Sequence, residues 1–110
     1  MIQLGSRTKI YVGVDPVDFR AGFKGLSAMV KKVIGHDPLS GHVFVFRNRK
    51  GDGIKMICFD GHACWTFHVK FAEGKLNWWP SDGQIQAAQL MGLLSKSSEV
   101  ISAAPFRDIA

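Results

Sequence analysis

Apolar and polar positions along the chain change period several times, and each change marks an element. From Lys9 to Val14, Ile10, Val12 and Val14 alternate with Tyr11 and Gly13, which predicts a strand. Asp15-Pro16 ends it, because proline lacks a ladder donor and fixes its own φ. The spacing then turns helical: Phe23, Leu26, Val30, Val33 and Ile34 form one apolar stripe over Phe23 to Ile34. Gly35 is the expected C-terminal cap, and Lys31 and Lys32 stand where the helix dipole favours cations. His42 to Arg47 is rich in β-formers, Lys50-Gly51-Asp52-Gly53 supplies tight-turn chemistry, and Ile54 to Phe59 returns, so these segments predict a β-hairpin.

Trp65 to Phe71 alternates again, with Trp65, Phe67, Val69 and Phe71 on one face and Thr66, His68 and Lys70 on the other. Glu73-Gly74 predicts a second hairpin turn into a strand from Lys75 to Trp79, which Pro80 ends. Gln84 to Leu94 reads as a helix facing inward through Ile85, Ala88, Leu90 or Met91, and Leu94. The sum is an α+β fold: an antiparallel β-meander of about five strands packed with two helices. Residues 1–94 are expected to form a single domain, and residues 95–110 a mobile C-terminal tail.

Composition narrows the class. A chain of 110 residues has room for one hydrophobic core, and its 46 % apolar content excludes intrinsic disorder. No apolar run approaches the roughly 18 residues of a membrane span, and no signal-peptide core opens the sequence. Two cysteines, Cys58 and Cys64, are too few for a disulfide framework, so a cytoplasmic location is expected. The net charge of +5 points to an anionic partner, and its distribution matters more than its size. Arg47, Arg49, Lys50 and Lys55 crowd one hairpin tip against a single acid, Asp52. Arginine matches phosphate oxygens in pairs and lysine adds point charge, so this tip is a candidate grip on a nucleic-acid backbone. The alternative is a solvated hairpin end that blunts a sheet edge.

Other constellations carry less. Thr66, His68 and Lys70 would widen the basic patch if their face adjoins the hairpin. Trp78 and Trp79 face opposite ways on one segment; Trp78 is expected to pack on the second helix, leaving Trp79 as a stacking surface beside cations. Cys58, His62, Cys64 and His68 lack the paired short spacing of a zinc site, so no metal is expected. Asp15 and Asp60 each follow a strand, as a metal-dependent nuclease would require, but two-metal chemistry needs several converging carboxylates. No catalytic residue is assigned, and no cofactor.

The order of motifs has a further meaning. Asp18-Phe19-Arg20, Asp37-Pro38-Leu39-Ser40-Gly41, Val43-Phe44-Val45-Phe46-Arg47-Asn48-Arg49-Lys50-Gly51-Asp52, Asp60-Gly61 and Trp79-Pro80 follow one another. In that order the chain resembles the small second-reading-frame accessory protein, TnpB type, of insertion-sequence family sixty-six, over about residues 3 to 94. Phe59 stands where such proteins usually carry Trp, and the cysteines and histidines are not part of the pattern.

The resemblance implies a non-catalytic accessory factor of DNA transposition. Its expected partners are insertion-sequence end DNA and the transposase or another accessory subunit, with no membrane and with homo-oligomers left open. The candidate nucleic-acid contacts are Arg47, Arg49, Lys50 and Lys55, with Lys24, Lys70 and Trp79 as further ones. Asp18 and Arg20 are expected to form a structural ion pair. The alternative is an adaptor that docks on the transposase without contacting DNA.

Overall fold

The strand–helix–strand order of the first half decides the sheet. Two strands separated by a helix can lie side by side in parallel, since a parallel pair needs such a crossover. The structure, a computed structural model describing residues 8–94 and 99–106, takes this course. Its strands are β1 (Ile10–Val12), β2 (Val43–Arg47), β3 (Gly53–Phe59), β4 (Cys64–Lys70), β5 (Gln84–Ile85) and β6 (Glu99–Phe106). Its helices are α1 (Phe23–Met29), prolonged by a π turn (Val30–Ile34), and α2 (Ala87–Leu94). β1 pairs in parallel with β2, Ile10 opposite Val43 and Val12 opposite Val45. The other pairings between these strands are antiparallel, in the order β5-β1-β2-β3-β4-β6. The α+β class holds, but the sheet is mixed rather than an antiparallel meander. The antiparallel expectation fails because it pairs neighbours in sequence, whereas β1 must wait for the chain to cross over through α1.

Strand alternation sends two apolar sets to opposite faces. Phe44, Phe46, Ile57 and Cys64 meet Phe23, Leu26 and Val30 of α1 and its π turn. Val43, Val45, Ile54 and Cys58 join Ile10, Val12, Phe71 and Ile85 against Leu90 and Leu93 of α2. The core thus has two halves, one on each side of the sheet.

The π turn corrects one prediction. Its wider i→i+5 bonding, with Gly35 N donating to Val30 O at 2.7 Å, advances each residue through a smaller angle than an α-helix does. Val33 is therefore rotated off the apolar stripe and stands 66 % exposed, while Val30 stays buried. Gly35 ends the segment in the left-handed conformation that favours glycine.

The second half departs further. Lys75 to Trp79 forms no strand; after Phe71 the chain folds across the β2–β3 turn, with Leu76 N donating to Gly51 O at 2.7 Å. Gln84 and Ile85 pair with β1 instead of opening the helix, which starts at Ala87. Gln86 N donates to the Gln89 side chain at that start. α2 buries Leu90 and Leu93, and Met91 points outward. Of the segment expected to be a tail, residues 95–98 and 107–110 lie outside the described residues, and the backbone of β6 runs along β4. No helix among the described residues is long and apolar enough to cross a membrane.

Candidate nucleic-acid interface

The site is assembled by a continuation of β1. Gly13 N donates to Val45 O, and its Cα lies so close to Phe46 that a Cβ would come within 2.8 Å of the ring. After the Asp15-Pro16 break the chain resumes alongside β2: Val17 N donates to Arg47 O, bridging Val17 to Asn48 in parallel. Asp18, Phe19 and Arg20 are thereby delivered to the β2–β3 turn, about thirty residues away in sequence.

The turn itself is tied from within and without. Asn48 Oδ1 accepts from the backbone N–H groups of Asp52 (3.0 Å) and Gly53 (3.2 Å), and Asn48 Nδ2 donates to Asp52 Oδ1 at 2.6 Å. Gly51 takes φ 73°, which a side chain would resist. Gly53 is needed for space: a Cβ there would meet Phe19 Cε2 and Asn48 Nδ2, each at 3.1 Å. Outside, Phe71 N donates to Asp52 O and Leu76 N to Gly51 O. The turn backbone is therefore held from several sides, which fixes the points from which Arg49 and Lys50 project.

The cations divide into two sets. Arg47 Nη2 donates to Val14 O at 2.8 Å, and its guanidinium lies 5.6 Å from the centroid of Trp79. Lys55 Nζ donates to the carbonyls of Phe19 and Ala21, both at 3.1 Å, and burial pushes its pKa down. Both side chains face the protein. Arg49 and Lys50, at the tip, are exposed. With Arg20, Lys70 and His68 they line an open groove of about 630 Å³ that also contains Asp18 and Asp52.

Each carboxylate in the groove is engaged. Asp18 accepts three side-chain bonds from Arg20, Nη2 to Oδ2 at 2.7 Å and a shared Nε to Oδ2 at 3.0 Å and Oδ1 at 3.2 Å, and one from Arg20 N. These bonds hold its carboxyl at about 2, and Arg49 adds a smaller electrostatic pull. Asp52 is held below the ordinary carboxylate range by the Asn48 bond, then by Lys70 and Lys50. His68 lies opposite Lys55 and edge-on to Phe19, ring centroids 5.2 Å apart. Burial, then Lys55 and Lys70, lower its pKa, so it favours the neutral form.

The groove therefore brings together Arg49, Lys50 and Lys70, and adds Arg20, which the sequence pointed to only as half of an ion pair. Nothing local to Arg20 signals this; the signal lies in the parallel register of the first two strands. Lys24 is not in this group and lines a separate groove beside α1. Trp79 is half-buried, with Nε1 donating to Gly13 O at 3.0 Å, and it packs against the α2-side core. Trp78 is the exposed one, at 45 %, the reverse of the expected pair. The aromatic ring that remains open to solvent is therefore not the one beside Arg47.

The remaining sequence candidates separate in space. Cys58 faces the α2 side of the sheet and Cys64 the α1 side, and no group of three or more His, Cys, Asp or Glu converges among the described residues. Burial raises the Cys58 thiol to about 11, as for a core residue. Asp60 organises its own turn: its carboxylate accepts from His62 N, Ala63 N and Trp65 Nε1, which holds it at about 2.

The same chain order that brings Asp18 to Arg20 beside Asn48 to Gly53 lies inside a match to the family described as IS66 Orf2 like protein, over residues 8–99. The chain belongs to that family. Two proteins of Sinorhizobium fredii (strain NBRC 101917 / NGR234) are similar to this IS66 Orf2-like chain. The uncharacterized protein y4hO is 34 % identical over 98 residues, covering 86 % of this chain and 85 % of its own. The uncharacterized protein y4jC is 43 % identical over 53 residues, 48 % of this chain and 45 % of its own. No solved structure matches. Membership associates this IS66 Orf2-like protein with transposition.

Proposed function

We propose that this protein is a non-catalytic accessory factor of DNA transposition that binds the phosphate backbone of insertion-sequence end DNA. The supporting observation is the groove beside the β2–β3 turn. There Arg49 and Lys50 project from a turn locked by Asn48, beside Lys70 at the end of β4 and Arg20 before α1; Asp18 is paired with Arg20 and Asp52 with Asn48. Contacts to phosphates position a protein without reading sequence. Binding is therefore weakly sequence-dependent and strongly salt-dependent. Arg47 and Lys55 act from behind, holding the hairpin and the Phe19 to Ala21 segment in place.

Fluorescence anisotropy with labelled duplexes of the element's ends tests this. Between about 50 and 200 mM salt, four phosphate contacts predict a loss on the order of a hundredfold in affinity. Affinity that does not move with salt contradicts the reading. The exposed Trp78 favours a second reading, an adaptor docking on the transposase without contacting DNA. Loss of transposase co-purification in Arg49→Glu, with no DNA binding by either form, would select it.

A further inference from the structure

A second cationic surface lies away from the hairpin, and its chemistry differs. The outer side of α1 and its π turn presents Lys24, Lys31 and Lys32, all exposed, across a groove from the loop Asp37 to Leu39. The groove is lined mainly by apolar groups, Phe23, Ala28, Pro38 and Leu39, of which Leu39 stands 40 % exposed; Ser27, its Oγ buried, is the polar exception among them. Its volume is about 310 Å³, and it shares no lining residue with the hairpin groove. Asp37, whose Oδ1 accepts from Leu39 N at 2.9 Å to shape the loop, is the one acid against these three lysines.

We propose that this groove binds an acidic peptide segment of a partner protein, with an apolar side chain of that segment seated against Leu39, Pro38 and Phe23. The commitment to a protein follows from the pairing of an apolar floor with a rim of three lysines. A nucleic-acid backbone would satisfy the rim and leave the floor against water. An apolar anchor flanked by Glu or Asp satisfies both. The lysines are strongly hydrated point charges on flexible stems, suited to carboxylates spaced along a peptide rather than to one fork-like contact. The rim charges set approach and orientation, and the seated apolar group supplies residence time. This proposal does not depend on DNA binding at the hairpin.

The test uses the full chain and a fluorescein-labelled peptide of glutamates and leucines with helical spacing. Two controls accompany it: the same peptide with leucines replaced by serine, and one with glutamates replaced by lysine. The acidic leucine peptide is expected to bind, and both controls to bind about tenfold more weakly or worse. The triple variant Lys24→Glu/Lys31→Glu/Lys32→Glu should weaken binding by about tenfold or more, and Leu39→Ser should weaken it without any change of charge. Arg49→Glu/Lys50→Glu should leave it unchanged. Circular dichroism confirms that each variant is folded, and Lys24→Gln/Lys31→Gln/Lys32→Gln repeats the test with a milder change. Equal binding of the serine peptide, loss of binding in the Arg49 and Lys50 variant alone, or no binding of the leucine peptide would each overturn the proposal.

Discussion

Arg47 and Lys55 bound the same nine-residue stretch as Arg49 and Lys50, yet the two pairs have opposite fates. Arg47 and Lys55 belong to β2 and β3, where the pleat aims each side chain at a face of the sheet. Arg47 goes to the α2 side, against Trp79 and Val14 O; Lys55 goes to the α1 side, onto two carbonyls that precede α1. Arg49 and Lys50 belong to the turn, where no sheet face claims them. A cluster of charge in sequence is therefore two populations in space. One braces the hairpin, and the other is displayed by it.

The comparison can be broken by removing a brace. Arg47→Ala loses a charged hydrogen bond and a cation–π contact, so a destabilisation of about 2–4 kcal/mol is expected in urea unfolding. Lys55→Met keeps the stem and strands the Phe19 and Ala21 carbonyls; about 1–3 kcal/mol is expected in the same measurement. A free energy near zero for either would show that these cations are as dispensable to the fold as those of the turn.

Charge reversal at the display positions sharpens the contrast. Arg49→Glu/Lys50→Glu is expected to change stability by no more than about 0.5 kcal/mol, since both groups are exposed. In the same variant the slope of log affinity for DNA against log salt should fall by about two. Unchanged slope with unchanged stability would remove the turn from the interface.

Acidity offers a subtler probe, because His68 lies between the two populations, facing Lys55 and lining the groove with Lys70. Its folded pKa is lowered from the ordinary 6.5, so the folded state binds this proton less readily than the unfolded chain. The associated stability is present above pH 6.5 and is lost as pH falls through the lowered value. A modest fall in melting temperature between pH 7.5 and pH 5.5 is expected, and His68→Gln should reduce it. An identical fall in that variant would place the titrating group elsewhere.

How much of this could be read from the sequence depended on the range of the contact concerned. The β2–β3 hairpin was readable because its alternation and its turn lie within seventeen residues of each other. The alternation of Trp65 to Lys70 is legible for the same reason, although Thr66, on the polar face, is buried because both faces of the sheet are covered. Lys75 to Trp79 departs from the strand its sequence predicts, because Leu76 finds Gly51 across the tip, which no local hairpin rule encodes. Local sequence links Arg20 only to its neighbour Asp18, since the parallel bridge at Val17 is what brings it to Asn48. Val33 fitted a helical stripe until a π turn rotated it away. Each miss comes from a contact or a bonding pattern that adjacent residues do not encode.

The position of β1 carries a consequence for how the molecule is made. This strand has neighbours on both sides, β2 on one and β5 on the other, so Ile10 is flanked by Val43 and Ile85. Neither neighbour exists when β1 leaves the ribosome. Its parallel partner follows only after the crossover helix, and the strand that covers its other edge comes near the end of the described domain. Loops this long are slow to close, and an unpaired strand edge is a site of mispairing while it waits. The nascent chain must therefore carry β1 with an open edge until Gln84 and Ile85 have been made, and their arrival ends that exposure.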